Sequence, residues 1–234
     1  MSRKKAVIFG ASGGIGAAIT TQLRLSGDFA TVSTGTRSKG GDFRFDLTDE
    51  SSIAAAASTI AETGPVDLVI VATGVLHTEN GHGPEKSWRM IDPARMAHVF
   101  AHNTIGPALI AKHVLPLMHR DRRAVFAALS ARVGSIGDNR LGGWHSYRAS
   151  KAALNMLIRT FAIELAHRNP EAISVALHPG TVETSLSAPF QGNVPSERLF
   201  SPRICAEALL SVVDGLTPKD SGGFFAWDGQ PIPF

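Results

Sequence analysis

The sequence predicts one α/β domain, spanning residues 1–234, in which a doubly wound parallel β-sheet is covered by helices. Three observations support this prediction. Short apolar runs that suit buried strands alternate with longer stretches that suit helices, and such connections produce parallel strands. The first apolar run leads into a glycine-rich turn that opens a helix. The length of 234 residues fits one large domain better than two small ones.

The predicted strands are nearly continuous apolar segments, a pattern typical of strands buried on both faces. They are 6–9, 29–34, 68–71, 124–129, 173–177 and 224–227. The predicted helices are 15–26, 49–63, 93–102, 105–118, 146–168 and 202–216, and Thr48-Asp49 and Ser201-Pro202 are typical helix starts. Residues 185–201 lack a regular pattern. A loop of that length inside one domain is usually functional, so we expect it to bind substrate.

The composition indicates a globular chain with a sizeable core, since 44% of the residues are hydrophobic and 18% are charged. No apolar run is long enough to span a membrane, and the basic N-terminus leads into a strand rather than a signal peptide. The single cysteine, Cys205, excludes an internal disulfide, and His98 and His102 lack a third metal ligand. The net charge of +3 does not favour nucleic-acid binding. We expect a cytoplasmic protein with no membrane, nucleic-acid or metal partner.

The glycine-rich segment GASGGIG at 10–16 indicates a ligand site more strongly than any other stretch. Glycine allows a sharp turn and a close approach of phosphate, and a helix N-terminus offers free amides and a partial positive charge. The spacing Gly10, Gly14, Gly16 differs from the general G-x-G-x-x-G fingerprint. Taken alone, the segment predicts either a phosphate cradle or a tight turn without a ligand.

Tyr147 and Lys151 are four residues apart and fall on one face of a predicted helix. A free phenol has a pKa of about 10, which is too high for ready proton exchange at neutral pH. A neighbouring ammonium group is expected to lower the pKa of the phenol, which could then act as a general acid or base. A pair that only lies on a helix surface would have the same spacing.

Together with HPGTVET at 178–184, the glycine-rich loop and YRASK at 147–151 resemble the short-chain dehydrogenase/reductase family. The resemblance covers nearly the whole chain in the family's order and spacing. The stretch 134–155 and the ending DGQPIP at 228–233 are most similar to the subgroup of C-factor and sniffer-type carbonyl reductases. The resemblance implies a Rossmann-type domain with a mostly parallel, seven-stranded sheet and helices on both faces.

The resemblance also implies which residues form the site. Tyr147 matches the catalytic acid/base, and Lys151 matches the residue that lowers the phenol pKa and holds the nicotinamide ribose. Asn103 matches the residue whose helix distortion holds a proton-relay water, although by itself it would be interpreted as a helix cap. The implied cofactor-binding residues are Gly10, Ser12, Gly14, Ile15, Gly16, Arg37, Asp46, Leu47, Gly74, Pro179, Gly180, Val182 and Thr184.

Two departures from the family pattern concern the strand ends. The family's Asn-Asn-Ala-Gly is Val71-Ala72-Thr73-Gly74 here, so Gly74 keeps the close approach to the cofactor while the amide side chains are missing. Asp46 matches the position that meets the adenine ring, and a strand-to-helix cap is the alternative.

The second departure is the catalytic serine, which in the family hydrogen-bonds the substrate carbonyl. Counting back from Gly134, its usual position falls on Ala131, and Ser130 lies one residue early. A shift of one residue on a strand points the side chain to the opposite face. Either the strand end is distorted so that Ser130 reaches the site, or Ser135 replaces it, or the carbonyl has no serine donor. We favour Ser130.

The residues after the second predicted strand indicate the cofactor. In NAD-preferring folds an acidic residue about 20 positions beyond the glycine loop binds the ribose 2′-hydroxyl. The local sequence TGTRSK at 34–39 contains no Asp or Glu, whereas Arg37 and Lys39 offer positive charge. We predict NADP(H) as the preferred cofactor, with NAD(H) as the alternative; an exposed loop with basic residues by chance is the competing interpretation.

The expected function is hydride transfer between nicotinamide and a carbonyl or alcohol carbon, with Tyr147 passing the proton. We expect a small, apolar substrate, because the predicted pocket wall at 182–200 contains Leu186, Phe190, Leu199 and Phe200. The alternative is a cofactor-binding signalling protein with little turnover, since the C-factor subgroup is linked to developmental signalling. In this family the helix 146–168 packs against its copy, so we expect a homodimer or homotetramer; a core-facing helix would show the same pattern.

Overall fold

A computed structural model describes residues 4–38, 40–77, 83–193, 195 and 199–234 of the chain. Lys39, which the sequence associates with cofactor choice, lies outside the described residues, as does the side chain of Phe190. No helix in the described ranges is both long and apolar enough to cross a membrane.

The central sheet has seven strands, all paired in parallel, so the predicted fold class is confirmed. Its order is β3-β2-β1-β4-β5-β6-β9, and the chain reverses its direction of winding between β1 and β4. A separate two-stranded sheet pairs β7 with β8. The strands are β1 (Lys4–Phe9), β2 (Phe29–Thr36), β3 (Phe43–Arg44), β4 (Leu68–Val71), β5 (Ala124–Leu129), β6 (Ala172–His178), β7 (Thr181–Val182), β8 (Leu199–Phe200) and β9 (Phe224–Ala226).

The helices cover both faces of the sheet, and each face has its own apolar core. Alternate residues of a strand point to opposite faces, so Val7 and Phe9 enter one core while Ala6 and Ile8 enter the other. Helices α2, α4 and α5 pack on the first core, and α1 and α6 pack on the second. The helices are α1 (Gly14–Ser26), α2 (Glu50–Ala61), α3 (Pro93–Phe100), α4 (Gly106–Val114), α5 (His145–Arg168) and α6 (Pro202–Gly215).

The predicted helix starts at Asp49 and Ser201 are confirmed as caps. The Asp49 side chain accepts hydrogen bonds from the amides of the next turn, and Ser201 accepts one from Ile204. The predicted separation between helices 93–102 and 105–118 is wrong, because a π-helical turn, Ala101–Ile105, joins α3 directly to α4. Pro107 has no N–H to donate to the carbonyl of Asn103, which disrupts the regular helical ladder at this turn.

Candidate active site

Three adjoining cavities form a trough along the carboxyl ends of the parallel strands, where β1 and β4 diverge. In doubly wound sheets this switch point is the usual ligand crevice. The loop cavity (about 260 Å³) lies between the glycine-rich turn and Arg37, and the central cavity (about 210 Å³) contains Tyr147 and Lys151. The distal cavity (about 290 Å³) continues from Tyr147 toward Arg132 and His178.

Most of the predicted cofactor residues line this trough. Gly13 and Gly74 border both the loop and central cavities, and Ile15 and Thr184 border both the central and distal cavities, so the three spaces are continuous. The remaining predicted residues on the walls are Gly10, Ser12, Arg37, Asp46 and Leu47 in the loop cavity, Gly14 in the central cavity, Pro179 in both the central and distal cavities, and Gly180 and Val182 in the distal cavity.

The glycine-rich turn requires glycine at two positions, Gly10 and Gly16. Gly10 has φ +86°, and its amide and that of Ala11 donate to the Gly35 carbonyl at 3.0 and 3.1 Å. A Cβ on Gly16 would lie 2.2 Å from the Gly10 carbonyl oxygen, so Gly16 packs the helix start against the turn rather than facing the trough. Helix α1 begins with no side-chain cap and no acidic residue in its first turn. Its first amides are therefore available to an anion.

The wall of the loop cavity contains both a positively charged side chain, Arg37, and a carboxylate, Asp46. The exposed Arg37 lines this wall together with Asp46. Asp46 accepts hydrogen bonds from the amide and hydroxyl of Thr48 at 2.8 and 2.7 Å, and these bonds lower the pKa of its carboxyl group. Asp46 thus also performs the local capping that was its alternative interpretation. Its carboxylate remains on the cavity wall.

Tyr147 and Lys151 lie together at the inner end of the central cavity, one turn apart on α5. The Lys151 Nζ donates to the Leu129 carbonyl at 2.8 Å and lies 5.9 Å from the centroid of the Tyr147 ring. Both side chains are buried, which raises the pKa of the Tyr147 phenol and lowers the pKa of Lys151 to about 8. The expectation of a lowered phenol pKa is therefore wrong for the side chains as they stand, because burial dominates over the neighbouring charge.

Asn103 lies in the π-helical turn and is fully buried. Its Oδ1 accepts the Val75 amide at 2.8 Å, and its Nδ2 donates to the Val75 carbonyl at 2.9 Å and to the Ser150 hydroxyl at 3.1 Å. The side chain thus connects the loop after β4 with the helix that carries Tyr147. Asn103 therefore does not act as a helix cap, because its partners lie outside its own helix.

Ser130 borders both the central and distal cavities, as Tyr147 does. Its hydroxyl donates to Asn155 Oδ1 on α5 at 2.6 Å. Ala131 lines the distal cavity, and Ser135 instead accepts the Asp138 amide at 3.0 Å. The structure therefore brings Ser130, and not Ser135, beside Tyr147, with its hydroxyl proton directed at Asn155.

Comparisons with known proteins agree with this geometry. The family model for short chain dehydrogenase matches residues 4–194. The C-signal protein of Myxococcus xanthus is 35% identical over 173 residues, which cover 74% of this chain and 95% of that protein.

The chain belongs to the short-chain dehydrogenase/reductase family. Among solved structures, the NADPH-bound carbonyl reductase from chicken fatty liver has a TM-score of 0.85 and 26% identity, over 99% of this chain and 94% of that one. The carbonyl reductase Sniffer of D. melanogaster has a TM-score of 0.86 and 20% identity, over 99% of this chain and 100% of that one. The predicted resemblance is confirmed, and the protein is an oxidoreductase of this family.

The sequence missed the residues that hold the start of the catalytic helix. Glu85 is almost fully buried and accepts hydrogen bonds from the amide and hydroxyl of Ser146, while its carbonyl accepts the Trp144 amide. Burial raises the pKa of Glu85, but the bonds from Ser146 outweigh it and leave the pKa below its usual value. Trp144 has φ +54°, unusual for a bulky residue, and its ring packs edge-on to Tyr147. Nothing in the sequence joins Glu85 to a helix sixty residues later.

The residues predicted for the substrate wall divide between the cavities and the apolar core. Leu186 lines the central and distal cavities. Phe200 instead packs edge-on against Trp227, with ring centroids 4.5 Å apart, and belongs to the second apolar core. The distal cavity is also lined by Trp144, and by Leu76 and Val133, which the sequence did not place there.

The pKa of Tyr147 can be measured directly, because it is the only tyrosine in the chain. We expect the near-ultraviolet absorbance of phenolate to appear only above the ordinary value of about 10, since burial disfavours the charged form. The urea-unfolded protein should titrate near that value, and Tyr147→Phe should show no phenolate signal. Phenolate formation in the folded protein below pH 8 would instead show that the Lys151 charge outweighs burial.

Proposed function

We propose that the protein is an NADP(H)-dependent carbonyl reductase whose general acid is Tyr147. The observation that carries this proposal is the continuous trough in which the glycine-rich turn, Lys151 and Tyr147 meet. NADP(H), when bound, supplies or accepts the hydride. Every other part of the reaction is assigned to side chains and backbone groups of this chain.

The trough suits a dinucleotide along its length. A Cβ on Gly14 would lie 2.7 Å from the Thr184 side chain, and one on Gly74 would lie 3.2 Å from Asn103 Oδ1. The absence of side chains at these two glycines therefore leaves space in the trough for a ligand. The hydroxyl of Thr73, at the junction of two cavities, is buried without a hydrogen-bond partner in the described ranges. An adjacent polar ligand would satisfy it. The helix start would hold the pyrophosphate, and Lys151 would hold the ribose.

Arg37 is proposed as the residue that favours NADP(H) over NAD(H). It is exposed, borders the loop cavity and lies at the carboxyl end of β2. A guanidinium group binds phosphate with charge-assisted hydrogen bonds and has no such use for a ribose hydroxyl. The similarity to the NADPH-bound carbonyl reductase from chicken fatty liver supports NADP(H) as the cofactor, independently of Arg37.

Proton transfer is assigned to Tyr147, with Lys151 and Asn103 supporting it. Because burial raises the pKa of Tyr147, the phenol is protonated at neutral pH and can donate to a carbonyl oxygen. Lys151, with a pKa of about 8, still carries its charge at pH 7 and stabilises the phenolate that forms. Asn103 fixes the loop after β4 against α5 and so keeps the two groups beside the cofactor trough.

Ser130 is proposed as the second donor to the carbonyl oxygen. It borders the same two cavities as Tyr147. To reach the substrate, its hydroxyl must turn away from Asn155, whose Nδ2 is itself buried without a hydrogen-bond partner in the described part of the chain. The competing role is structural, in which Ser130 only ties the end of β5 to α5.

The substrate is proposed to be a small carbonyl or alcohol compound bound in the distal cavity by residues of the 185–201 loop, including Leu186 and Ser187.

We also propose that the protein forms a homodimer or homotetramer through α5, because its Met156 and Ile163 side chains are large, apolar and exposed. We further propose that residues 1–234 form a single domain.

Replacing Tyr147 with phenylalanine should lower kcat for carbonyl reduction by about 100- to 10,000-fold, the usual contribution of a positioned general acid. NADPH affinity, followed by nicotinamide fluorescence, should change by less than about threefold, since the phenol is not needed for cofactor binding. The assay uses NADPH with a panel of aromatic aldehydes and ketones. Tight NADPH binding without any Tyr147-dependent oxidation would favour the signalling alternative, which the similarity to C-signal raises.

Ser130→Ala separates the two roles of that serine. If Ser130 donates to the carbonyl, kcat should fall by about 100- to 1,000-fold, as for other lost oxyanion donors. Thermal unfolding of the same variant, compared with Asn155→Ala, reports the structural contribution. Unchanged turnover together with equal destabilisation in both variants would assign the hydroxyl to the β5–α5 connection alone.

Arg37→Ala should weaken NADPH binding by about 10- to 100-fold, because one charged phosphate contact is lost. NADH binding should change by less than about threefold. The control is Arg120→Ala, which removes the same charge from an exposed position just before the amino end of β5, whereas the trough lies at the carboxyl ends of the strands. Equal losses for NADPH and NADH would contradict the phosphate role.

A further inference from the structure

The distal cavity combines an apolar wall with one charged side chain. Its apolar part includes Leu76, Val133, Trp144 and Leu186. Arg132 is the only residue with a fixed charge among the described residues that line it. A small-molecule pocket of this kind usually fixes its ligand through a few well-placed polar groups. The charge of Arg132 is therefore a candidate determinant of what the pocket accepts.

Among the described residues, the guanidinium of Arg132 is held by one ion pair, with Asp138. Its Nη1 donates to Asp138 Oδ2 at 3.0 Å, and no acceptor within the described ranges takes a hydrogen bond from Nε or Nη2. About half of the side chain, 47%, is exposed, so the group lies at the open end of the cavity. The ion pair with Asp138 fixes the orientation of the planar group. The donors not used by Asp138 form the fork that binds a carboxylate in a bidentate manner.

His178 lies on the same wall and adds a neutral polar group. Burial, followed by the charge of Arg132, lowers its pKa to about 4, so the imidazole is uncharged at neutral pH. Its Nδ1 is buried and has no hydrogen-bond partner in the described part of the chain. Next to Arg132, an imidazole of this kind can share an oxygen ligand without adding repulsion between two cations.

We propose that the substrate carries a carboxylate that pairs with Arg132, while its apolar body lies against Leu76, Trp144 and Leu186. The carbonyl to be reduced then lies at Tyr147, which lines the same cavity and, unlike Arg132, is buried. This inference rests on the proposed reductase function and names its substrate class: carbonyl compounds with an acidic group separated from the carbonyl by an apolar spacer. It changes the expectation of an apolar substrate by adding one acidic group to an apolar body.

The kinetic test compares para-formylbenzoate with para-formylbenzamide, which differ in charge but hardly in shape. With the wild type and NADPH, kcat/KM should be about tenfold higher for the acid. Arg132→Gln should remove this preference and leave the amide within about twofold. Arg140→Gln, which removes the same charge from an exposed residue of the same segment outside the described cavity walls, should retain it. Equal kcat/KM for acid and amide in the wild type would overturn the carboxylate site and leave the reductase function standing.

A binding measurement separates this inference from the reaction itself. The NADPH-loaded protein is titrated calorimetrically with para-tert-butylbenzoate and with the matching amide, neither of which can be reduced. The acid should bind about tenfold more tightly than the amide, and Arg132→Gln should abolish the difference. If the acid is preferred but no carbonyl compound is reduced, the carboxylate site stands and the reductase proposal fails. If acid and amide bind equally, or Arg132→Gln leaves the preference intact, the carboxylate site is refuted.

Discussion

The buried amide of Asn103 is the contact on which the arrangement of the site depends. It bonds both backbone groups of Val75 and the hydroxyl of Ser150, and it is inaccessible to water. Removing one partner would leave a buried polar group unpaired, at a cost of about 1–3 kcal/mol. Because Ser150 lies between Tyr147 and Lys151 on α5, these bonds hold the proton donor at a fixed place beside the loop after β4. The π-helical turn carries Asn103 where its amide contacts both the loop after β4 and α5.

The fold could be predicted closely because its signals are local. Strands β4 and β5 have the predicted bounds, since uninterrupted apolar runs between polar ends have few alternatives. The two-residue strand β3 was missed because a segment that short has no periodicity. The sequence pattern predicted a break between two helices where the π-helical turn lies, and only the family resemblance implied a distorted helix at Asn103. Pro107 was the available signal, because an interior proline breaks the ladder of amide hydrogen bonds.

The residues of the site could be predicted from the sequence, but their proton affinities could not. The spacing of Tyr147 and Lys151 shows that a charge is near the phenol, and it argues for a lower phenol pKa. Only the structure shows that both groups are buried, which penalises the charged form of each and moves the two pKa values in opposite directions. Glu85 was missed for a related reason. Its role comes from a contact between segments far apart in the chain, and such contacts leave no local pattern.

The displaced serine, Ser130, and Arg132 lie two residues apart in sequence, and their consequences are linked. A carbonyl held by both tyrosine and serine is oriented at its reacting end. Here Ala131 occupies the usual serine position, and the Ser130 hydroxyl must leave Asn155 before it can donate to the carbonyl, so the reacting end is oriented less firmly. Rate depends on holding the reacting atoms in a productive geometry, and that restraint can come from a remote part of the substrate. A carboxylate paired with Arg132 on the wall of the distal cavity would supply it. On these assignments, loss of Arg132 should matter most for substrates whose carbonyl has no other anchor than Tyr147.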